Sequence, residues 1–413
     1  DSLDAAQRLR VVKEAFDSYN SPSIVPHLKL LLRLSGEPYT LDNHFMFEFL
    51  YSRQVPLELT VQSGRQVAKS TNLAAVSICQ SISMPHHKML IVTPLFEQCR
   101  RLSSNYFGPM IENCPIATLI KSGPIARQSI LQRTFWNEAI QYFSFASTSV
   151  ERTRGISVSQ IKYDEYQGMD PEFIPIINES ASASNWGGGG GHISRYGTPL
   201  SSHNLMNQTY RKGSMAEWIV PCYRCGYKNI PCLEFDLDAM IGPFHQDISE
   251  EVPGTICAKC RKPVSPRNGW WEHRKKDLIG IHESYHIPQI ILPLHYASKN
   301  NWYKITTKQS GAGNMRISQF YNEVCGEACD QGSVLVSIID LQRSAVLGEN
   351  KLARAEELDV NKYIDIVLAV DWGGGGKKQT SFTAYAVLGM LANGSIEVIF
   401  GYRSLRLNDA FND

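Results

Sequence analysis

The sequence has almost no excess of charge and no long apolar run. Lysine and arginine number 41 against 40 acidic residues, so net charge does not identify a nucleic-acid partner, and any DNA contact must come from local basic patches. No stretch of about 18 uncharged apolar residues occurs, and the N-terminus has no signal-peptide pattern. Internal repeats and a low-complexity tail are also absent. We therefore expect a soluble intracellular protein that makes no membrane contact.

The composition that is present is ordinary for a globular protein. Hydrophobic residues make up 43% and charged residues 20% of the sequence, which argues against a disordered chain and against a fibre. At about 150 residues per domain, the length of 413 residues predicts two or three domains. The sequence starts at Asp1 rather than Met and stops at Asp413, so we expect the natural product to be longer.

Strand-like and helix-like segments alternate through the first half of the chain. Apolar alternation from Val55 predicts a strand that runs into a loop ending at Lys69-Ser70, and helical residues follow to Ser83. An apolar strand at Met89–Val92 and a helix from Phe96 come next. Further strands are predicted at 140–145, 156–163 and 192–196. This alternation is typical of a parallel sheet with helical crossovers.

The loop between the first strand and its helix suits an anion. Backbone N–H groups and a helix N-terminus both point at a phosphate in such a loop. Lys69 is predicted to reach the β- and γ-phosphates of a nucleotide, and Ser70 to place its hydroxyl on Mg²⁺. Ser63 and Ala68 stand where the common G-x-x-x-x-G-K-[ST] pattern has glycine. The alternative is a Lys-Ser pair at an ordinary helix start.

A β-prone run, Ile161–Tyr163, ends in two adjacent carboxylates. Asp164 is predicted to belong to the Mg²⁺ shell and Glu165 to polarise an attacking water. A surface Asp-Glu pair at a strand end is the alternative. Three elements occur in the order that an ATPase sheet requires: the loop with its helix, then the strand with Asp-Glu, then the strand ending in Gly197-Thr198-Pro199. This order favours the functional interpretation.

These stretches resemble motifs of the large terminase subunits of tailed bacteriophages. Ser63-Gly64-Arg65-Gln66-Val67-Ala68-Lys69-Ser70 resembles the deviant Walker A motif of that family. Arg152-Thr153-Arg154-Gly155 resembles its Arg-Gly stretch before the Walker B strand. Tyr196-Gly197-Thr198 matches the position of its coupling motif, which links hydrolysis to DNA movement. The resemblance covers about residues 50–215 and, more thinly, the segment from 364 onward.

The resemblance implies an α/β P-loop NTPase of the RecA/ASCE type, with a parallel sheet flanked by helices and with ATP and Mg²⁺ as cofactors. Arg65 and Arg154 are candidates to supply positive charge in the transition state, and for each the alternative is a solvated surface charge. The residues implied to bind nucleotide are Gly64, Arg65, Gln66, Lys69, Ser70, Asp164 and Thr198, and the catalytic carboxylate is Glu165.

Ten cysteines are present, and four of them form two C-x-x-C pairs: Cys222, Cys225, Cys257 and Cys260. In an intracellular protein this spacing favours a closed tetrahedral Zn²⁺ site over disulfides. A closed site is structural, and unligated thiols are the alternative. The remaining six are predicted to be buried thiols: Cys79, Cys99, Cys114, Cys232, Cys325 and Cys329.

Basic residues surround Trp270-Trp271 just after the second cysteine pair, from Lys259 to Lys276. Basic groups neutralise phosphates, and exposed aromatic rings stack on bases. This pattern predicts a DNA contact. The alternative is that the tryptophans form the core of the cysteine-rich segment and the charges only solvate it.

A strong apolar strand, Ile364–Val370, ends at Asp371, and a second strand is predicted at Thr380–Val387. RNase H-like nucleases begin in this way, and in them the first carboxylate helps to hold two Mg²⁺ or Mn²⁺ ions about 4 Å apart. The resemblance implies the same role for Asp371. A strand-end aspartate that caps the next turn is the alternative.

The predicted function is that of a viral packaging motor, in which ATP hydrolysis moves double-stranded DNA into a procapsid and a nuclease cuts concatemeric DNA. The resemblance implies a portal protein, a procapsid and a small terminase subunit as partners, a homo-oligomeric ring, and the host cytoplasm as location. A two-lobed helicase or translocase and a zinc-ribbon DNA-binding scaffold with an inactive P-loop are the alternatives. The predicted segments are a helical entry at 1–48, the ATPase core at 49–215, an inserted zinc module at 216–290, a helical remainder at 291–358 and a nuclease start at 359–413.

Overall fold

The computed structural model describes residues 23–52, 54–115, 128–146, 153–186, 190–242, 254–311, 315–330, 359–371 and 383–404, with isolated helical residues at 10, 13, 17 and 117. Most of the helical prediction for residues 1–22 lies outside these ranges. The chain divides into two compact units, Asp1–Leu335 and Val336–Asp413.

The first unit contains a small hairpin, β1 (Arg33–Leu34) and β2 (Glu37–Pro38), and a ten-stranded sheet. The strands of the sheet are β3 (Glu58–Ser63), β4 (Lys88–Thr93), β5 (Gln132–Thr134), β6 (Ile140–Phe145), β7 (Gln160–Tyr163), β8 (His192–Gly197), β9 (Ala216–Pro221), β10 (Lys228–Asn229), β11 (Trp270–His273) and β12 (His282–Ile287). Their order is β10-β9-β12-β3-β8-β7-β4-β6-β5, and β11 pairs with β9. The run from β12 to β6 is parallel throughout, while β5, β10 and β11 are antiparallel to their neighbours.

Short helices surround this sheet. They are α1 (Leu28–Leu31), α2 (Lys69–Ser83), α3 (Phe96–Leu102), α4 (Gly108–Glu112), α5 (Ile174–Asn178), α6 (Leu205–Lys212), α7 (Leu237–Met240), α8 (Pro293–Tyr296), α9 (Lys299–Gln309) and α10 (Ile317–Phe320). Single π-helical turns continue α3 at Ser103–Phe107 and α10 at Tyr321–Cys325. None of the helices described here has the length and apolarity that crossing a membrane requires.

The core explains why these segments pair in parallel. All four residues of β7 are buried, as are five of the six in β3 and in β4, which is the pattern of strands covered on both faces. Helix α2 is buried along almost its whole length, because small residues such as Ala74, Ala75 and Ser77 allow close packing. The predicted α/β architecture, a parallel sheet flanked by helices, is confirmed.

The segment 216–290 differs from a self-contained module. Its strands β9, β11 and β12 belong to the same large sheet, and β12 pairs with β3 over six residues, from His282 opposite Glu58 to Ile287 opposite Ser63. Among the described residues of this segment, the two cysteine loops and the short helix α7 lie outside the sheet.

The second unit has a three-stranded antiparallel sheet of β13 (Asp365–Asp371), β14 (Thr383–Met390) and β15 (Ile396–Ser404). The predicted strand ending at Asp371 is present. Apolar side chains of this strand are exposed, with Val367 at 52% and Leu368 at 61%. Among the described residues of this unit, the helical structure is a single 3-10 turn at Val360–Lys362, which is too short to cover the sheet.

Candidate functional site

The loop between β3 and α2 curves tightly at the carboxyl end of β3. Gln66 and Ala68 both adopt left-handed backbone conformations, with φ of 57° and 63°. Such turns expose successive N–H groups in the manner of anion-binding nests, and the first turn of α2 adds N–H groups that have no intrahelical partner. The left-handed φ of Ala68 explains why the common pattern has glycine there, since a Cβ in this region costs about 1–2 kcal/mol.

The start of the loop is fixed by backbone contacts from distant segments. The N–H of Gly64 donates to the carbonyl of Ile287 at 3.1 Å, and that of Arg65 to the carbonyl of Glu323 at 2.6 Å. A Cβ added at Gly64 would lie 2.6 Å from the carbonyl oxygen of Val324. Glycine is therefore required at this position by the close approach of another backbone.

Lys69 lies at the base of the loop and is almost fully buried. Its Nζ donates to Oγ1 of Thr198 at 2.9 Å and approaches the carbonyl of Gly64 at 3.5 Å. Burial lowers the pKa of Lys69, and the nearby carboxylates of Glu165 and Asp164 oppose that effect. The structure thus brings together the predicted lysine, at the start of α2, and the predicted threonine, just after β8.

Asp164 and Ser70 meet beside this lysine. The Ser70 hydroxyl donates to Oδ2 of Asp164 at 3.0 Å. Burial raises the pKa of Asp164 to about 6, Glu165 adds to the rise, and Lys69 opposes it. Oδ1 of Asp164 is buried and has no hydrogen-bond partner among the described residues. A hydroxyl, a carboxylate and an unsatisfied oxygen are the hard ligands that Mg²⁺ prefers.

Glu165 follows at the end of β7 with a left-handed backbone, φ 55°. Its Oε2 accepts a hydrogen bond of 2.5 Å from Nε2 of Gln167. Oε1 of Gln167 accepts from the main-chain N–H of Thr198 at 3.1 Å. Sequence reasoning missed Gln167, for which the only signal was its position two residues after the paired acids.

A second group that the sequence did not reveal lies under the loop. The hydroxyls of Tyr39 and Tyr51 each donate to Oδ1 of Asn72 at 2.9 Å. Nδ2 of Asn72 in turn donates to the carbonyl of Ala68 at 3.0 Å. These buried side chains fix the left-handed turn from below, and only the helical spacing of Asn72 from Lys69 could have suggested it.

The two predicted arginines occupy different places. Arg65 is exposed in the loop, with Nη1 3.5 Å from Oε1 of Glu323. Arg154 is exposed on the turn Thr153–Gly155, beside a cleft lined by Glu179 and Ser180. Arg152 lies outside the described residues. The structure places Arg65, but not Arg154, in the loop itself.

The four predicted cysteines converge, and their Sγ atoms all lie within 4.8 Å of one another. Cys222 is 3.6 Å from Cys260, and Cys225 is 3.7 Å from Cys257. Four thiolates around Zn²⁺ at about 2.3 Å require separations of this size. The cluster is able to hold a metal ion, and the other six cysteines are buried as predicted.

The two cysteine loops have matching backbones. In the first loop, Cys222 accepts from the N–H of Gly226; in the second, Cys257 accepts from that of Arg261. Both donors have left-handed φ values, 72° at Gly226 and 62° at Arg261. Both loops therefore contain the same turn. Its left-handed position is occupied by glycine in the first loop and by arginine in the second.

The two tryptophans near the cysteines have different environments. Trp271 is half-buried and packs against Phe49 and Tyr285, and its Nε1 donates to the carbonyl of Met46 at 3.1 Å, so its ring lies between the sheet and the segment that precedes β3. Trp270 is 38% exposed, and Nζ of Lys228 lies 5.6 Å from its ring centroid. DNA contact by this surface remains a prediction.

Asp371 is the last residue of β13, where its backbone pairs opposite Ala384 of β14. This is the carboxyl end of the strand, as the sequence predicted. Trp372 and the following glycines lie outside the described residues.

Comparison with known proteins identifies the family. The family model described as "Phage terminase large subunit gpA, ATPase domain" matches residues 36–275. No curated protein matches the chain. Among solved structures, the large terminase ATPase domain of Thermus phage P74-26 is 12% identical with a TM-score of 0.43, over 75% of this chain and 99% of that one. The large terminase of bacteriophage HK97 is also 12% identical with a TM-score of 0.44, over 97% of this chain and 70% of that one.

The family match spans more than half of the chain. It contains the loop that ends at Lys69, the carboxylates after β7, Thr198 and all four clustered cysteines. The chain therefore belongs to the phage terminase large subunit gpA family and carries its ATPase domain.

Proposed function

We propose that this chain binds ATP in the loop between β3 and α2 and hydrolyses it to move double-stranded DNA into a procapsid. The observation that carries the proposal is the convergence of Lys69, at the start of α2, with Asp164 and Thr198, which follow β7 and β8, at one edge of the sheet. The carboxyl edge of a parallel sheet is where ligands bind in α/β proteins.

Each residue has a distinct role in this proposal. Lys69 binds the β- and γ-phosphates, with backbone N–H groups of Gln66 to Ser70 around them. Ser70 and the unsatisfied oxygen of Asp164 fit Mg²⁺, which when bound neutralises phosphate charge. Glu165 orients the attacking water and accepts its proton. Arg65, exposed in the loop, supplies positive charge toward the γ-phosphate, and Arg154 is a second candidate from its own turn.

The cysteine cluster is proposed to hold one structural Zn²⁺. All four positions are taken by thiolates, so no position is left for a substrate. The ion would tie together the loop that follows β9 and the loop that precedes β11, and it would have no part in hydrolysis.

The finer parts of the packaging function rest on family membership. We propose double-stranded DNA, a portal protein on the procapsid and a small terminase subunit as partners, a homo-oligomeric ring as the working form, and the host cytoplasm as the location. A nuclease activity is proposed for the second unit, with Asp371 as one ligand of Mg²⁺ or Mn²⁺.

ATP binding and hydrolysis should respond differently to two substitutions. Lys69→Ala should weaken binding of a labelled ATP analogue at least about tenfold, because the loop loses its phosphate-reaching cation. Glu165→Gln should bind the analogue normally but lower kcat for ATP about 100-fold or more. Both are measured by equilibrium binding and by phosphate release with and without duplex DNA.

Lys88→Ala is the matched control, since Lys88 is exposed at the opposite end of a neighbouring strand and should change neither quantity. Hydrolysis by Glu165→Gln at a near-normal rate would show that the catalytic carboxylate is misassigned. Normal analogue binding by Lys69→Ala would overturn the nucleotide site itself.

A further inference from the structure

Gln167 connects two parts of the site that are otherwise separate. Its Nε2 donates to Oε2 of Glu165 at 2.5 Å, and its Oε1 accepts from the main-chain N–H of Thr198 at 3.1 Å. The orientation of the amide is fixed by chemistry, because an ionised carboxylate only accepts and a backbone N–H only donates. Gln167 is therefore held at both ends of its side chain.

The chain of contacts continues to the lysine. Thr198, whose N–H holds Gln167, accepts at Oγ1 from Nζ of Lys69 at 2.9 Å. Lys69, Thr198, Gln167 and Glu165 thus form an unbroken hydrogen-bonded line. It joins the group proposed to bind phosphate to the group proposed to orient water.

The surroundings fix Gln167 in this position. The Nδ2 of Asn204 donates to its main-chain carbonyl at 3.2 Å. A Cβ at Gly197 would lie 2.5 Å from Oε1 of Gln167 and 2.9 Å from Sδ of Met206. The glycine before Thr198 is therefore needed to admit the glutamine side chain.

We propose that Gln167 is a positioning residue that holds the Glu165 carboxylate for water attack and links its position to the state of Lys69. The inference rests on the proposed ATP hydrolysis. A phosphate in the loop competes with Thr198 for the Lys69 ammonium. When Lys69 turns to the phosphate, Thr198 loses a donor, and the contact of Thr198 with Gln167 carries that change to Glu165.

The first test compares two substitutions of similar size. Gln167→Met keeps the length of the side chain and removes both hydrogen bonds, whereas Gln167→Glu keeps an acceptor for Thr198 and places a second carboxylate beside Glu165. We expect kcat for ATP to fall about 10- to 100-fold in Gln167→Met, as for loss of a hydrogen bond to a charged group. It should fall further in Gln167→Glu, while KM and the affinity for an ATP analogue stay within about twofold in both.

Unchanged kcat in folded Gln167→Met protein would overturn the proposal. An equal loss of kcat and of analogue affinity would overturn it too, because it would show a role in binding. Melting curves of each variant show whether it is folded. Gln167→Asn is a second variant, with a shorter side chain that keeps the amide. Its kcat should lie between those of Gln167→Met and the unsubstituted protein.

The second test is a double-mutant cycle in kcat between Gln167→Met and Thr198→Val, which retains the Thr198 N–H and removes Oγ1. Residues acting in one line should be non-additive, so the double variant should lose less than the product of the two single losses. Additive losses would contradict the link to Lys69. If the unsubstituted chain does not hydrolyse ATP, the proposed function fails; if it does and only the Gln167 results differ, the positioning role alone fails.

Discussion

The loop at Ala68 shows how much single residues reveal. The sequence predicted a helix start at Lys69-Ser70 after a strand, and these are the first two residues of α2. That Ala68 tolerates φ of 63° could not be read from the sequence, because the support comes from Asn72 and the two tyrosines beneath it. Local patterns predict which groups are present, and distant contacts decide whether an unfavourable backbone is retained.

Lys162 is a residue whose environment sequence patterns did not predict. It lies within β7 and is 1% exposed, and its Nζ donates to Oγ of Ser77 at 2.9 Å and to Oε1 of Gln80 at 2.7 Å. Burial lowers the pKa of Lys162 to about 7. The folded state therefore binds fewer protons at this site than the unfolded state between about pH 7 and pH 10.5.

Lys162→Met should therefore change how stability depends on pH. The cost of burying the charged lysine is fully present below about pH 7 and disappears as pH rises toward 10.5. Between pH 7 and pH 10, the melting temperature of the unsubstituted chain should rise by at least about 3 °C relative to that of the variant. Thermal melts of both proteins across this range measure it. The exposed Lys88→Met control should show a constant difference, and a constant difference for Lys162→Met would refute the buried-charge argument.

Among the elements, the parallel strands were the most predictable. The strand predicted at 140–145 matches β6, and the strand predicted from Met89 is β4 with one residue more at each end. Burial of five of its six residues gives β4 an apolar sequence signal, whereas β6 mixes buried and half-buried residues. The pairing of β12 with β3 could not be foreseen, because a strand containing His282 and His286 lacks that signal and owes its place to backbone bonds and polar contacts.

The structure of both cysteine loops should depend on bound zinc. One Zn²⁺ per chain is expected, and Cys225→Ser or Cys257→Ser should lose it, because each removes one of four thiolates. Metal analysis by mass spectrometry measures this directly. Hydrogen exchange should rise at 222–227 and 255–262, while β3 and β7 remain protected, since neither strand pairs with β9 or β10.

Cys232→Ser is the control, because Cys232 is a buried thiol of the same segment that lies outside the cluster. That variant should retain its zinc. Equal metal content in the Cys225→Ser and Cys232→Ser proteins would contradict the site.

On the scale of the whole first unit, the segment after α10 joins parts that are far apart in sequence. The side chain of Glu327 accepts from the N–H of Leu233 at 2.7 Å and lies 3.7 Å from the ring of His286. Burial alone would lower the pKa of His286, but Glu217 and Glu327 outweigh it and raise the pKa to about 9. The same segment contacts the start of the nucleotide loop through Glu323. Residues near 325 thus link the cysteine region with the ATP site.

The two compact units of the chain predict separable activities. Asp371 lies in the second unit and the nucleotide loop in the first. Substitution of Asp371 should therefore leave DNA-stimulated ATP hydrolysis within about twofold, whereas removing one ligand of a two-metal nuclease site should reduce cleavage by orders of magnitude.

In the complete protein, Asp371→Ala should abolish cleavage of supercoiled plasmid in the presence of Mg²⁺ or Mn²⁺, with ATP hydrolysis measured on the same preparation. Asp365→Ala is the matched control, because Asp365 opens the same strand at its other end, roughly 20 Å away at 3.3–3.4 Å per residue, and it should leave cleavage intact. Equal cutting by the two variants would mean that Asp371 is no metal ligand. It would then be a strand-end residue that caps the following turn, and the nuclease carboxylates would have to be sought elsewhere. Loss of both activities in Asp371→Ala would instead show that the two units depend on each other for folding, which melting curves of each variant would reveal.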